Sequence, residues 1–375
     1  MSALTTDLDD VDGLLAADRD GLLQSAAMTG AQVRAVSQAQ SEGALERLAD
    51  LRPRAVVVVT GASATARRAA DLVAAVVAPR IDVPIITAPA LPGWIGPLDV
   101  VAVAGDDAGD PALADAAMRT LRRRAELVAV APVEGPLRDA IGSQPMVDLS
   151  PRLRVDDRFG FSRFVAALLA VCTALTAVRL TPAAPDLAEL ADRLDGEAAA
   201  DHPGQESFHN QAKLLALRLA DRPVAWAGDT PGAAVIAAHA SAIAFAVAGT
   251  VSTATAEPVL ALRLREGAAG AAPVDDIFYD PEIDPPRAAS TRGILFTTAA
   301  RRWYAERRSA ALGDIDIVAE QPADGADGSG EPAPAAAMSA GDPFTETPAD
   351  LGEYLVLALR AELAAVFVRL MGEAA

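Results

Sequence analysis

The run RAVVVVTG, residues 54–61, places four valines in a row with no polar residue among them. A strand with one wet face alternates apolar and polar side chains, whereas a strand covered on both faces has no need to. VPIITA (83–88), LDVVAVAG (98–105), AELVAVAP (125–132) and QPMVDLSP (144–151) have the same character. Helical spacing fills the intervals at Ala66–Ala78, Ala112–Arg124 and Gly135–Ile141. Short buried strands alternating with helices predict right-handed crossovers and a parallel, doubly wound α/β sheet. Helical periodicity before it (12–40) and the apolar helix Phe164–Val178 after it complete a first unit.

The cycle recurs in the second half. A Pro-, Gly- and Asp-rich stretch with a helix at its middle (179–208) leads to a helix at 210–220, a strand at 222–228 and a helix at 232–249. EPVLALRL (257–264) and DDIFYDPEI (275–283) read as strands, followed by a helix over 297–312 and a strand over 314–321. A long helix, Asp350–Gly372, closes the chain. The expected organisation is a first domain over 1–183, a connector over 184–205, and a second domain over 206–375 with a disordered, low-complexity insertion at about 321–347. Two domains suit a chain of 375 residues.

Charge and composition narrow the partners. A net charge of −19 repels nucleic acid and anionic membrane surfaces, so neither is expected as a partner. The acidic N-terminus is unlike a secretory signal, and Phe164–Val178 is shorter than the about 20 residues of a membrane span. The single cysteine, Cys172, lies inside that apolar helix and fits a reducing, cytoplasmic setting. Aromatics are only 4% of the chain, so the cores are expected to be close-packed Ala, Val and Leu.

The segment LPGWIGPLDVVAVAGDDAGDPALADAAMRTLRRRAELVAVAP, residues 91–132, resembles the first half of the bifunctional glucose-6-phosphate/mannose-6-phosphate isomerases, and within them a divergent, TobH-like subset. NQAKLLALRLADRPVAWAG (210–228) resembles that family's Asn-x-Ala-Lys helix and the strand after it, and LGEYLVLALRAELAAVFVRLMG (351–372) its closing helix. The resemblance implies two tandem sugar isomerase (SIS) domains, each with a five-stranded parallel sheet flanked by helices. It also implies a homodimer, no cofactor, and sugar-phosphate binding at the carboxyl ends of the strands, where open α/β sheets hold ligands.

The family's phosphate loop reads Ser-x-Ser-Gly-x-Thr. Here the aligned stretch is Ala104, Gly105, Asp106, Asp107, Ala108, Gly109 and Asp110, without hydroxyls. Asp110 before Pro111 is a helix start, with Asp as N-cap and Pro in the first turn, and such a carboxylate takes the N–H groups a phosphate would use. The alternatives are a metal held by Asp106, Asp107 and Asp110, or residual phosphate binding. In the first loop, Gly61, Ser63 and Thr65 with Arg67 and Arg68 either hold an anion or cap a helix whose arginines face solvent.

The resemblance also implies a Glu base and a His acid for proton transfer between adjacent carbons. The helix at 232–249 has no carboxylate, and neither His202, His209 nor His239 lies in the family's His-Asn-Glu context. His239 is either a packed helix residue or a displaced base, and Glu257 a displaced acid. Arg301–Arg308 reads as a solvated helix face or an anion-docking patch. Two functions follow: a degenerate SIS protein that binds a carbohydrate derivative or regulates hexose or mannose phosphate metabolism, and an active, divergent aldose–ketose isomerase.

Overall fold

Three short helices, α1 (Val11–Ala17), α2 (Leu22–Ala27) and α3 (Thr29–Ser41), precede the first sheet in the computed structural model, which describes residues 7–220, 222–270, 290–320 and 345–373. The valine run then forms β1 (Ala55–Val59), followed by α4 (Ala64–Val77), β2 (Ile85–Ala88), β3 (Asp99–Ala104), α5 (Pro111–Arg122), β4 (Glu126–Val130), α6 (Gly135–Ile141), β5 (Val147–Asp148) and α7 (Phe161–Ala174). All five strands are parallel, in the order β2-β1-β3-β4-β5. The fifth is shorter than expected, only Val147 and Asp148.

Alternation along each strand assigns its side chains to two different cores. Val56, Val58, Val100, Ala102, Val128 and Val130 point toward α4 and α7. Val57, Val59, Val101, Val103, Leu127 and Ala129 point toward α5 and α6. Both faces are buried, which is why the valine run needs no polar alternation.

The second half contains α8 (Leu187–Ala200), α9 (Gln211–Ala220), β6 (Val224–Gly228), α10 (Pro231–Ala248), β7 (Thr253–Ala254), α11 (Glu257–Gly270), β8 (Arg292–Phe296), α12 (Arg302–Ser309), β9 (Ile315–Val318) and α13 (Leu351–Glu373). Among the described residues its sheet has four parallel strands, in the order β7-β6-β8-β9. In both sheets the order reverses between the first strand and the one beside it, β1 beside β3 and β6 beside β8. Those junctions are the switch points at which ligands bind in such folds.

EPVLALRL is a correction: it is helical and opens α11. Leu260 and Leu264, four apart, are buried on β6 and β8, whereas Val259 and Leu262 are exposed, a helical and not a strand periodicity. The sheet position goes instead to RGILF, β8, which the sequence reading passed over. DDIFYDPEI lies outside the described residues. Of the expected insertion, residues 321–344 do too, but Glu346 is buried and accepts from the Gly232 N–H (2.8 Å), and Thr347 forms a capping box with Asp350.

One continuous core joins the halves. Val224, Trp226, Ile294 and Phe296 from the second sheet share it with the first sheet through α4, α7, α10 and α13. α8 packs along α3 and α13, with Arg34 paired to Asp192 and Asp195. Lys213 is fully buried, donating to the carbonyls of Pro203 and Gln205 (both 2.7 Å), while Asn210 caps α9 through the Lys213 N–H. Cys172 is buried and its thiol is pushed up to about 12 by that burial, as expected of a packed cysteine. One helix among the described residues, α10, is long and apolar enough to cross a membrane; half of it is buried inside the fold.

Candidate functional site

At the first switch point the loop after β1 meets the loop after β3, and the two are tied by carboxylates. Ser63 donates from Oγ to Asp106 Oδ2 (2.5 Å) and accepts from the Ala66 N–H, capping α4. Asp110 caps α5 by accepting from the Ala112 N–H (2.8 Å), and its second oxygen accepts from the Ala62 N–H (2.7 Å). Gly61 has φ +52°, and a Cβ there would lie 2.0 Å from Asp110 Oδ2, so the approach of the two loops requires glycine. Gly105 likewise leaves room for Leu113. Asp107 is exposed and accepts from the Gly109 N–H.

The capping reading of Asp110 and Ser63 therefore holds. Asp106, Asp107 and Asp110 each serve a different donor, and among the described residues no group of three His, Cys, Asp or Glu side chains is gathered for a metal. Arg67 is on the solvent face, paired with Asp71. Arg68 departs from expectation: it turns inward, donates to Thr65 Oγ1 (3.3 Å), and lies in the field of Glu362 and Asp106 while burial lowers its pKa.

His239 is fully buried on α10, stacked on Phe161 with ring centroids 4.1 Å apart. Its Nε2 lies 2.9 Å from Glu362 Oε1 on α13, also fully buried. Burial pushes Glu362 up to about 8 and His239 well below its usual range, where Arg68 adds to the effect. Both directions favour the uncharged pair. His239 Nδ1, Glu362 Oε2, Arg68 Nε and Ser162 Oγ have no hydrogen-bond partner. Glu257 is not brought to His239; it opens α11 and pairs with Arg308 (3.0 Å).

The second switch point has a related but inverted pairing. Thr297, after β8, donates to Asp229 Oδ2 (2.7 Å) after β6. Gly228 is indispensable there, since a Cβ would lie 2.1 Å from the Ala233 backbone. Arg301 and Arg308, the two ends of the basic cluster, surround Asp229 at 4.0 and 3.8 Å, Arg308 from an exposed position. Arg301 is buried, donates to Tyr354 Oη (2.7 Å) and lies 3.5 Å from Asp350. The exposed-face reading fails for Arg301; it holds for Arg307, which lies over Trp303, and for Arg308, and in part for Arg302, which is half-buried and paired with Glu306.

The feature the sequence reading missed is a pocket of about 140 Å³ at the carboxyl ends of the first sheet. Its polar lining is Gln32, Asp106, Arg154, Asp156, Asp157 and Arg163. Five of these six lie in or after a strand-end loop or at the start of α7, and of them the sequence motifs mark only Asp106. The available signal was RLRVDDRFGFSR, residues 152–163, a dense charged run between the fifth strand and an apolar helix. Burial lowers Arg163 to about 10, with Asp106 and Asp157 offsetting part of that; burial likewise raises Asp106.

No family model and no curated protein sequence matches the chain. Solved structures do. Tagatose-6-phosphate ketose/aldose isomerase from Escherichia coli superposes with a TM-score of 0.56 at 13% identity, covering 93% of this chain and 92% of that one. The C-terminal domain of glucosamine-fructose-6-phosphate aminotransferase from Francisella tularensis gives 0.53 at 10% identity, covering 95% and 98%. A glucose-6-phosphate isomerase-like protein from Thermus thermophilus gives 0.51 at 16% identity, covering 98% and 93%. The chain thus has the two-sheet α/β fold of the phosphosugar isomerases, over nearly its full length. At such identities the likeness is one of fold, and chemistry has to be argued from the residues.

Proposed function

We propose that this chain is a carbohydrate-derivative-binding protein of the SIS architecture, from the TobH-like subset, in which the isomerase site has been closed from within. One observation carries the reading. Ser63 Oγ, the Ala62 N–H and the Ala112 N–H, donors grouped where two strand-end loops meet helix starts, are occupied by Asp106 and Asp110. A phosphate arriving there would compete with two carboxylates already hydrogen-bonded and would be repelled by them. Two unit charges about 4 Å apart cost about 4 kcal/mol at an effective dielectric near 20, which is orders of magnitude in affinity. His239 supports the same reading, since a proton-transfer base must reach its substrate and this imidazole is fully buried.

The second reading, a divergent aldose–ketose isomerase, rests on the His239–Glu362 contact, a base and an acid held 2.9 Å apart. A coupled assay of fructose 6-phosphate formation from glucose or mannose 6-phosphate separates the two. The expected result is no turnover. Turnover at ordinary enzyme rates of about 1–1000 per second, abolished by His239→Ala, would overturn the closed-site reading. Asp110→Ala and Asp106→Ser, which free the donors, are expected to raise the affinity for glucose 6-phosphate in a thermal-shift titration run with and without Mg²⁺.

A further inference from the structure

Arg163 stands in an unusual position for a buried cation. It is 7% exposed and has no ion pair with any described residue. Among the described residues its one hydrogen bond is to the Val130 carbonyl, at 3.3 Å, and its guanidinium lies over the Phe164 ring at 4.2 Å. The remaining N–H groups of its five-donor fork are left to whatever fills the pocket that it lines. Buried charges are ordinarily paired, and where the chain supplies no partner a ligand or water must.

Acceptors face it across the same space. Asp106 gives Oδ2 to Ser63, while Oδ1 is turned to Gly160, where a Cβ would lie 3.5 Å away. Gly160 and Asp157 line the pocket. Asp156 is already neutralised by Arg158 (2.8 Å). Gln32 uses its Nε2 on the Phe159 carbonyl, leaving its own carbonyl oxygen as an acceptor. The pocket is therefore built from strong donors and strong acceptors that do not touch each other.

That arrangement selects among ligand chemistries. A phosphate only accepts, and meets Asp106 and Asp157. An ammonium only donates, and meets Arg163 and Arg154. A hydroxyl does both, accepting from the guanidinium and donating to the carboxylate, and adjacent hydroxyls can bridge the two without adding charge. Resting on the carbohydrate-binding reading above and refining it, we infer that this pocket holds the unphosphorylated ring of a sugar, with a vicinal diol seated between Arg163 and Asp106. The ligand class is a neutral polyol and not a sugar phosphate.

Isothermal titration of the full chain with D-glucose, D-mannose and D-fructose, each beside its 6-phosphate and beside D-glucosamine, tests this. At least one neutral hexose is expected to bind more tightly than its 6-phosphate, and D-glucose more tightly than D-glucosamine. Arg163→Met, of similar bulk without the fork, is expected to weaken the binding at least tenfold. Asp106→Asn, which keeps an acceptor for Ser63, is expected to weaken the neutral sugar and strengthen its phosphate. Should Arg163→Met not fold, Leu153→Trp at the pocket lining blocks the same space and is expected to abolish binding. Binding of 6-phosphates alone would overturn this inference and leave the broader carbohydrate-binding reading standing. No binding of any of these compounds would overturn both, and hexose binding unchanged in Arg163→Met and Leu153→Trp would overturn the pocket assignment.

Discussion

Arg163 and Arg301 are both buried arginines beside a strand-end aspartate, one at each switch point, yet burial leaves them in opposite electrostatic states. Desolvation acts against both. At Arg301 the surrounding Tyr354, Asp350, Asp229 and Glu346 outweigh it, and the guanidinium pKa rises. At Arg163 they do not, and its pKa falls to about 10. Arg301 is therefore part of the internal scaffold of the second sheet, fastening α12 and α13 to the β6 loop. Arg163 is a charge whose partners stand across a pocket. The same fold element can be spent on structure or kept for a ligand, and the test is whether the chain itself supplies the counter-charge.

The sharpest way to break this contrast is to remove each cation. Arg301→Met is expected to cost about 3–5 kcal/mol, because Asp350 then loses its cation, Tyr354 its guanidinium donor, and the buried Asp229 carboxylate keeps as cation only the exposed Arg308. Arg163→Met is expected to leave stability within about 1 kcal/mol of the parent, since no ion pair is lost. Urea unfolding midpoints of the two variants decide it, and equal losses would refute the distinction. The glycines give a second comparison. Gly228→Ala drives a Cβ into backbone and is expected to cost about 3 kcal/mol, with no single-residue rescue. Gly61→Ala meets the Asp110 side chain and a positive φ, so Asp110→Ala in the same chain is expected to recover part of its loss in thermal melts.

A smaller effect tests the buried layer between the two sites. Glu362 is raised from 4.5 to about 8 in the fold, so the native state holds a proton that the unfolded state releases. Its contribution to stability is fully present below about pH 4.5 and is lost as pH rises through about 8, at about 1.4 kcal/mol per pH unit. His239, lowered from 6.5, acts the other way, with stability lost as pH falls below that value. Asp201, raised to about 7 by burial and Glu197, slopes as Glu362 does. The difference between the parent and Glu362→Gln, followed by chemical denaturation from pH 6.5 to 8.5, isolates the Glu362 slope; parallel curves would contradict it. Smallest of all, Asp110→Ala is expected to cost about 1 kcal/mol as a lost N-cap, read from the same denaturation series.

The parallel sheets were legible because a strand buried on both faces has to be written in consecutive apolar residues, as Val56–Val59 is. Asp110–Pro111 was legible because a cap and a first-turn proline are local, set by two neighbouring residues. EPVLALRL was not, since its apolar run satisfies a strand template, and only the packing of Leu260 and Leu264 against β6 and β8 selects the helix. RGILF carries only three consecutive apolar residues after Gly293, and only its pairing between β6 and β9 makes it a strand.

Local chemistry thus decided which segments become strands, where the helices start and that the loop after β3 carries carboxylates and no hydroxyl. The partners of the charges were decided by tertiary structure. His239 meets Glu362 and Arg80 meets the carbonyl of Glu346 across more than a hundred residues. Among the described residues Arg163 is left without an ion pair at the start of an apolar helix, and Arg301 gains several. Nothing in a linear spacing distinguishes those two arginines, because the energy of a buried charge depends on what the fold brings within a few ångströms of it.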